Sequence, residues 1–142
     1  MKVLIKEPNL DAYLANIEYN THTNYDTTNI RKVLDCSIHE RVNLGGLNIV
    51  MLLDESAKLN GKKPNMLMSL GWGTDVIVGV VIFCKEVYCP KNGLDYTSLD
   101  AVDISILQGF VKAHSINEEW QKKIAAEVLK EQLLAPVTEQ SV

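Results

Sequence analysis

With 142 residues, 46% of them hydrophobic and 23% charged, the chain has the length of one ordinary domain and the composition of a globular one. Its net charge of −4, from 14 Lys plus Arg against 18 Asp plus Glu, argues against a duplex nucleic-acid binder, which needs a basic surface to displace phosphate counterions. Two or three local donors still suffice for a small nucleotide, so that ligand class stays open.

Residues 2–7 read as a first strand, with Val3 and Ile5 on one face and Lys2, Leu4 and Lys6 on the other, closed by Pro8-Asn9. A second strand is expected over residues 13–19. The polar stretch 20–28 is a loop, after which Asp26 or Thr28 caps a short helix carrying Ile30, Val33 and Leu34. Residues 36–42 alternate and 47–53 are strongly apolar, and Gly45-Gly46 between them fits a hairpin turn. Residues 54–65 carry turn chemistry in Asn60-Gly61 and Lys62-Lys63-Pro64. Met66-Leu67-Met68 reads as a short helix or an extended piece. Gly71-Trp72-Gly73 precedes the run 76–87, whose Val/Ile content marks one central strand buried on both faces, with Gly79 as a bulge or a close approach of another backbone.

After residue 93 the chemistry turns helical. Asp100 or Asp103 caps a helix with Ile104, Leu107, Phe110, Val111 and His114 along one side. Ser115-Ile116-Asn117-Glu118 reads as the capping box of a second helix, with Ile116, Trp120, Ile124 and Val128 as an apolar stripe. The expected fold is α+β: a twisted, mostly antiparallel sheet, a short helix against it and a C-terminal helical pair. It forms a single domain over residues 1–134, mainly sheet over 1–96 and helical over 97–134, with a flexible tail at 135–142. The wide stripe on the second helix needs a cover, and a homo-oligomer with that helix in its interface supplies one.

Three cysteines, Cys36, Cys84 and Cys89, form neither a secreted disulfide framework nor a zinc-site spacing with the scattered His22, His39 and His114. Cys36 and Cys84 read as buried thiols. The first residues are charged too soon for a signal peptide, and no apolar run approaches the roughly 18 residues of a membrane span. The expected setting is cytoplasmic, with no membrane partner.

Motifs for catalysis are missing: no G-x-S-x-G, no P-loop, no H-E-x-x-H and no complete dinucleotide fingerprint. Cys36 and His39 stand at i and i+3, on opposite faces of a strand, which is poor geometry for a nucleophile pair. The pairs Asp54/Glu55 and Asp100/Asp103 read as loop and cap residues more readily than as acid/base partners. The expectation is a binding protein, not an enzyme, with no cofactor and no metal. Phe83 reads either as core packing or as a platform for a purine, since aromatic faces accept bases without sequence readout. Trp72 divides in the same way, and Asn92 sits in a Lys-Asn-Gly turn. Arg31, Lys58, Lys62, Lys63 and Lys91 are the candidates to meet phosphates, each with solvated surface charge as its alternative.

The opening Met1-Lys2-Val3-Leu4-Ile5-Lys6-Glu7-Pro8, residues 54–65 and residues 75–83 resemble a small uncharacterised domain family frequent in phage and plasmid genomes, over roughly residues 1–90. The whole chain also resembles the phage Thoeris anti-defence proteins of the first type. Proteins of that family are oligomeric sponges that sequester cyclic ADP-ribose isomers made by bacterial TIR enzymes, some also holding cyclic oligonucleotides, without degrading them. The resemblance implies a small nucleotide signal as ligand in the host cytoplasm, Phe83 as the base-stacking aromatic and Asn92 as a polar contact. That family rings its ligand with arginines. This sequence has only Arg31 and Arg41, so lysines such as Lys58 and Lys63 are expected to stand in. Two other readings remain: a protein that binds a host protein through its C-terminal helices, and a small hydrolase.

Overall fold

The computed structural model describes residues 1–21, 25–70, 73–91 and 93–134. Eight strands, β1 (Lys2–Lys6), β2 (Tyr13–Asn16), β3 (His39–Asn43), β4 (Ile49–Asp54), β5 (Pro64–Leu70), β6 (Gly73–Val78), β7 (Val81–Cys89) and β8 (Gly93–Thr97), accompany three helices, α1 (Thr28–Leu34), α2 (Ala101–His114) and α3 (Glu119–Leu134). Six strands form one antiparallel sheet in the order β2-β1-β7-β4-β3, with β8 alongside β7, and β5 and β6 form a separate two-stranded sheet. The α+β class and the antiparallel sheet agree with the sequence pattern. No helix among the described residues is long and apolar enough to cross a membrane.

Period-2 alternation sorts the side chains into two cores, one on each face of the large sheet. Val3, Ile5, Val50, Leu52, Ile82, Cys84 and Tyr96 face α1 through Ile30 and Leu34. Leu4, Met51, Val81 and Phe83 face α2 through Leu107 and Val111, together with Met66, Met68 and Ile77 of the hairpin. The hairpin is itself two-sided. Its other residues, Leu67, Val76 and Val78, turn outward onto Ala125, Val128 and Leu129 of α3.

Local chemistry explains most boundaries. Asp100 caps α2 in a reciprocal box with Asp103, each side chain accepting the other's backbone N–H. The αL conformations of Gly45 and Gly46 turn the chain between β3 and β4. The run 76–87 is not one strand. It breaks at Gly79, where φ of +81° carries the chain from the hairpin into the large sheet, and a Cβ there would stand 3.1 Å from Lys62 Cδ. The glycine therefore marks a close approach, and the apolar run belongs to two sheets. Residues 66–68 are extended.

The C-terminal helix also departs from expectation. Ser115 does not cap it: its hydroxyl donates to the Val111 carbonyl, while Gln121 Oε1 accepts the N–H groups of Asn117 and Glu118. The register is set by Ala125, whose small side chain lets α3 sit close on the hairpin. Trp120 and Ile124 consequently lie outside, 59% and 40% exposed. Propensity and spacing identified the helix, but the buried face was decided by which residue fits the flat hairpin surface. The expected tail lies outside the described residues.

A buried polar clasp joins the two sheets. Asn65 occupies the register shift of the β5–β6 ladder. Its Nδ2 donates to the carbonyls of Lys6 and Gly79, both at 2.8 Å, and its Oδ1 accepts from Lys6 Nζ at 2.8 Å. Lys6, 3% exposed, also donates to the Glu7 carbonyl. Burial lowers the pKa of its ammonium, against a smaller opposing pull from Asp11. Replacing Asn65 with Ala strands two carbonyls and strips one acceptor from a buried ammonium, so about 3 kcal/mol of stability is expected to go. Urea unfolding checks this: the midpoint should fall with little change in slope.

Candidate functional site

The short helix α1 organises a concavity lined mainly by polar residues. Asp26 Oδ1 accepts from the backbone N–H and the hydroxyl of Thr28 at its start, at 3.0 and 2.6 Å. Asp35, in the αL conformation, closes it, and the N–H groups of Asp35 and Cys36 return to the Lys32 and Arg31 carbonyls. Arg31 and Lys32 fall in the last turn, where cations suit the helix dipole. Ile30 and Leu34 face the sheet, so the 3.6-residue repeat turns Thr28, Arg31, Lys32 and Asp35 toward a cavity of about 540 Å³. Ser37, Ile38, Asp54, Ser56 and Asn60 complete its wall.

Charge on that wall is unevenly compensated. Lys62 Nζ donates to the carbonyls of Leu34 and Asp35 at 2.9 and 2.7 Å and lies 2.8 Å from Asp54 Oδ2. This places one ammonium on three oxygens, ties the helix end to the loop after β4, and cancels Asp54. The contact with Oδ2 is an ion pair rather than an aligned hydrogen bond. Oδ1 accepts the Ser56 N–H at 2.9 Å. Burial opposes ionisation of Asp54, yet Lys62 and the Ser56 N–H outweigh it and hold its carboxyl below the usual value of 3.8. Arg31 is different. Its Nε donates to Thr27 Oγ1 at 3.2 Å and its terminal nitrogens to Thr28 Oγ1 and the Ser37 carbonyl at 3.4 and 3.5 Å, all neutral oxygens. Among the described residues neither Arg31 nor Lys32 has a carboxylate in an ion pair.

Of the residues expected to form a site, the structure brings only Arg31 to this cavity. Phe83 is fully buried in the first half of β7, opposite Leu4 and Met51, with its ring edge-on to Phe110 at 6.4 Å. It is core, and a ring so placed has no face to offer a base; the expectation of a stacking platform there is corrected. Its late position in an apolar run points to emergence from the core, but the strand starts afresh at Val81, and Phe83 falls in its first, fully buried half between β1 and β4. Lys58 lies over a separate groove of about 230 Å³ and is neutralised by Asp75 at 2.7 Å. Lys63 is exposed and lines neither cavity. Asn92 and Trp72 lie outside the described residues.

A second polar cluster escaped the sequence reading. Tyr96 of β8 is 1% exposed, and its hydroxyl lies 2.8 Å from His39 Nε2 and 3.4 Å from the Tyr25 hydroxyl. Tyr19 donates to the buried Asp95 nearby. The Arg41 guanidinium sits 5.8 Å from the Tyr96 ring centre, with Nε 3.4 Å from Glu86 Oε2. Burial lowers the pKa of His39, and the charges of Arg31 and Arg41 push it further down. The only two arginines of the chain thus act on one imidazole. The signal for it in the sequence is His39 and Arg41 at i and i+2, on one face of a strand.

The depressed pKa of Asp54 fixes a sign. A carboxyl more acidic in the folded than in the unfolded state adds stability that is complete above its ordinary value of 3.8 and is lost as pH falls through the folded pKa. Asp54→Asn should therefore lower stability at pH 7 and flatten its fall below about pH 4. Thermal unfolding at several pH values reads both effects, and an acid limb as steep as that of the unchanged protein would show that the Lys62 contact contributes nothing.

No curated protein and no solved structure matches this chain. One family model does, over residues 1–110, from β1 to Phe110 in α2, so that α3 lies beyond the matched stretch. Its description is a domain of unknown function, DUF3846, and with about three quarters of its length matched the chain belongs to that family.

Proposed function

We propose that this protein is a non-catalytic binding protein that holds a small anionic nucleotide intact in the cavity beside α1. The observation that carries this reading is Arg31, whose guanidinium lines the cavity while bonded only to neutral oxygens. With Lys62 and Asp54 cancelling each other, Arg31 and Lys32 outweigh Asp35 on the wall of a protein whose net charge is −4. An anion is the ligand such a wall favours. Arginine's fixed fork suits phosphate oxygens, and Thr28, Ser37, Ser56 and Asn60 supply hydroxyl and amide groups for a sugar. A volume of about 540 Å³ lies within the range of small-molecule sites. The resemblance to anti-defence sponges names a cyclic ADP-ribose-type signal in the host cytoplasm as the ligand, and sequestration as its use.

Calorimetric titration with ADP-ribose and cyclic ADP-ribose tests the reading. Saturable binding is expected, with the nucleotide recovered at its original mass by chromatography and mass spectrometry. Arg31→Glu should weaken binding tenfold or more, and Lys130→Glu on α3 should leave it unchanged. Equal losses would reduce the effect to general electrostatics, and an altered nucleotide would make the protein an enzyme.

The exposed apolar side chains of the C-terminal helices favour a second reading, a protein partner. Trp120 and Ile124 on α3 and Val102 and Ile106 on α2 are all at least 40% exposed. We propose a second copy of the chain as that partner. The intact protein should sediment above its monomer mass of 15.9 kDa at micromolar concentration, and Trp120→Asp should shift it toward that mass. Intact protein that sediments as a monomer overturns the assembly.

A further inference from the structure

We propose that Tyr25 is the ring on which the base of the bound nucleotide stacks, and that Arg41 joins Arg31 on its phosphates. The inference rests on the nucleotide-binding reading above and extends the site from the cavity wall, which Tyr25 and Arg41 do not line, to the tyrosine cluster beside His39. Tyr25 is held in the left-handed region at φ of +48°, a conformation that a bulky side chain adopts only when its surroundings impose it. Its surroundings do so. The Tyr25 ring lies against Tyr96, centroids 5.9 Å apart and planes 30° from parallel, and its hydroxyl meets that of Tyr96. Tyr96 is immobile in turn: it is buried, touches His39 at 2.8 Å, and its carbonyl accepts the Thr21 hydroxyl at 2.6 Å. One aromatic face of Tyr25 is thus spent on a rigid support, while 39% of the residue stays open to solvent. An aromatic ring fixed in this way offers a platform to a base with little ordering left to be done on binding.

The charges lie where a diphosphate attached to that base would need them. Thr27 Oγ1, two residues from Tyr25, holds Arg31 Nε, and the Ser37 carbonyl, two residues from His39, holds one of its terminal nitrogens. Arg41 leans over the far partner of the stack, Tyr96, and uses Nε on Glu86, so its two terminal nitrogens are the ones a phosphate meets. The two arginines therefore share one neighbour, His39, which touches Tyr96. A nucleoside diphosphate is the chemical class that matches one stacking ring and two guanidinium forks.

The test uses two probes on the intact chain: ADP-ribose, which carries a base, and inorganic pyrophosphate, which does not. Tyr25→Ala should weaken ADP-ribose at least tenfold and leave pyrophosphate unchanged, Tyr25→Phe should bind both probes like the unchanged protein, and Arg41→Gln should weaken both. Circular dichroism of each variant verifies the fold, and Tyr25→Phe keeps the ring if Tyr25→Ala does not fold. The inference is overturned if Tyr25→Ala lowers both probes equally or neither, or if Tyr25→Phe loses ADP-ribose as far as Tyr25→Ala. Binding that needs Arg31 and ignores Tyr25 overturns this inference alone. Failure of the unchanged protein to bind ADP-ribose overturns the nucleotide reading with it.

Discussion

β7 exchanges hydrogen bonds with β1 and β4 through its first half and with β8 through its second, and its first four residues are buried. A strand paired along both edges and covered on both faces leaves no backbone polar group to water there, so its register fixes every neighbour. A slip of one residue would exchange Phe83 for Ile82 and turn each core inside out. The position of Tyr96 follows from this constraint. Its pairing with Glu86 on β7 sends its ring toward α1, and pairing of β3 with β4 brings His39 and Arg41 to the same side. The cluster of Tyr96, His39 and Arg41 is assembled from strands whose alignment is dictated several residues away.

Much of this was legible in the residues. Val3 and Ile5 against Leu4 and Lys6 gave both faces of β1 from alternation alone, because both faces are packed and each demands its own set. The Asp100 cap and the apolar face of α2 were equally plain, since a cap followed by residues three and four apart describes little else. The break at Gly79 was not. Val76 to Val87 is continuous in composition, and what separates its halves is the positive φ of Gly79, with Lys62 packed close to where a Cβ would stand. The same limit hid the site. Phe83 looked available because an aromatic near a strand end commonly is, whereas burial depends on which other elements arrive. Tyr25, His39, Arg41 and Tyr96 are spread over more than seventy residues, and no local pattern joins them.

The polar interior separates into groups that are satisfied and groups that are not. Asn65 and Lys6 close on each other and on three carbonyls, and Lys62 meets three oxygens at once. Buried networks of this kind are worth having only when complete, because each stranded group costs a desolvation that nothing returns. Both lysines serve the fold; Lys62 is neutralised by Asp54, and the Lys6 ammonium is held by neutral oxygens. Lys58 and Lys85 are likewise held, by Asp75 and by Asp100 with Asp103.

Arg31 is treated differently, and that difference bears on the proposed function, whereas Arg41 is paired with Glu86. A lysine ammonium has three donors that a loop of carbonyls can fill, as Lys62 shows; a guanidinium has five in one plane, and Arg31 finds only neutral oxygens at 3.2–3.5 Å for them. Such contacts orient the group without cancelling its charge. A protein under pressure only to fold would gain by placing a carboxylate there, and Asp26, Asp35 and Glu40 are within a few residues of Arg31 or Arg41 in the chain without forming a close ion pair with either among the described residues. Burial first, and then the charges of both arginines, lowers the pKa of His39, so some local repulsion is present that an incoming anion would relieve. In an acidic molecule, positive charge held on a rigid support without a carboxylate partner, as at Arg31, favours an anion before any ligand arrives.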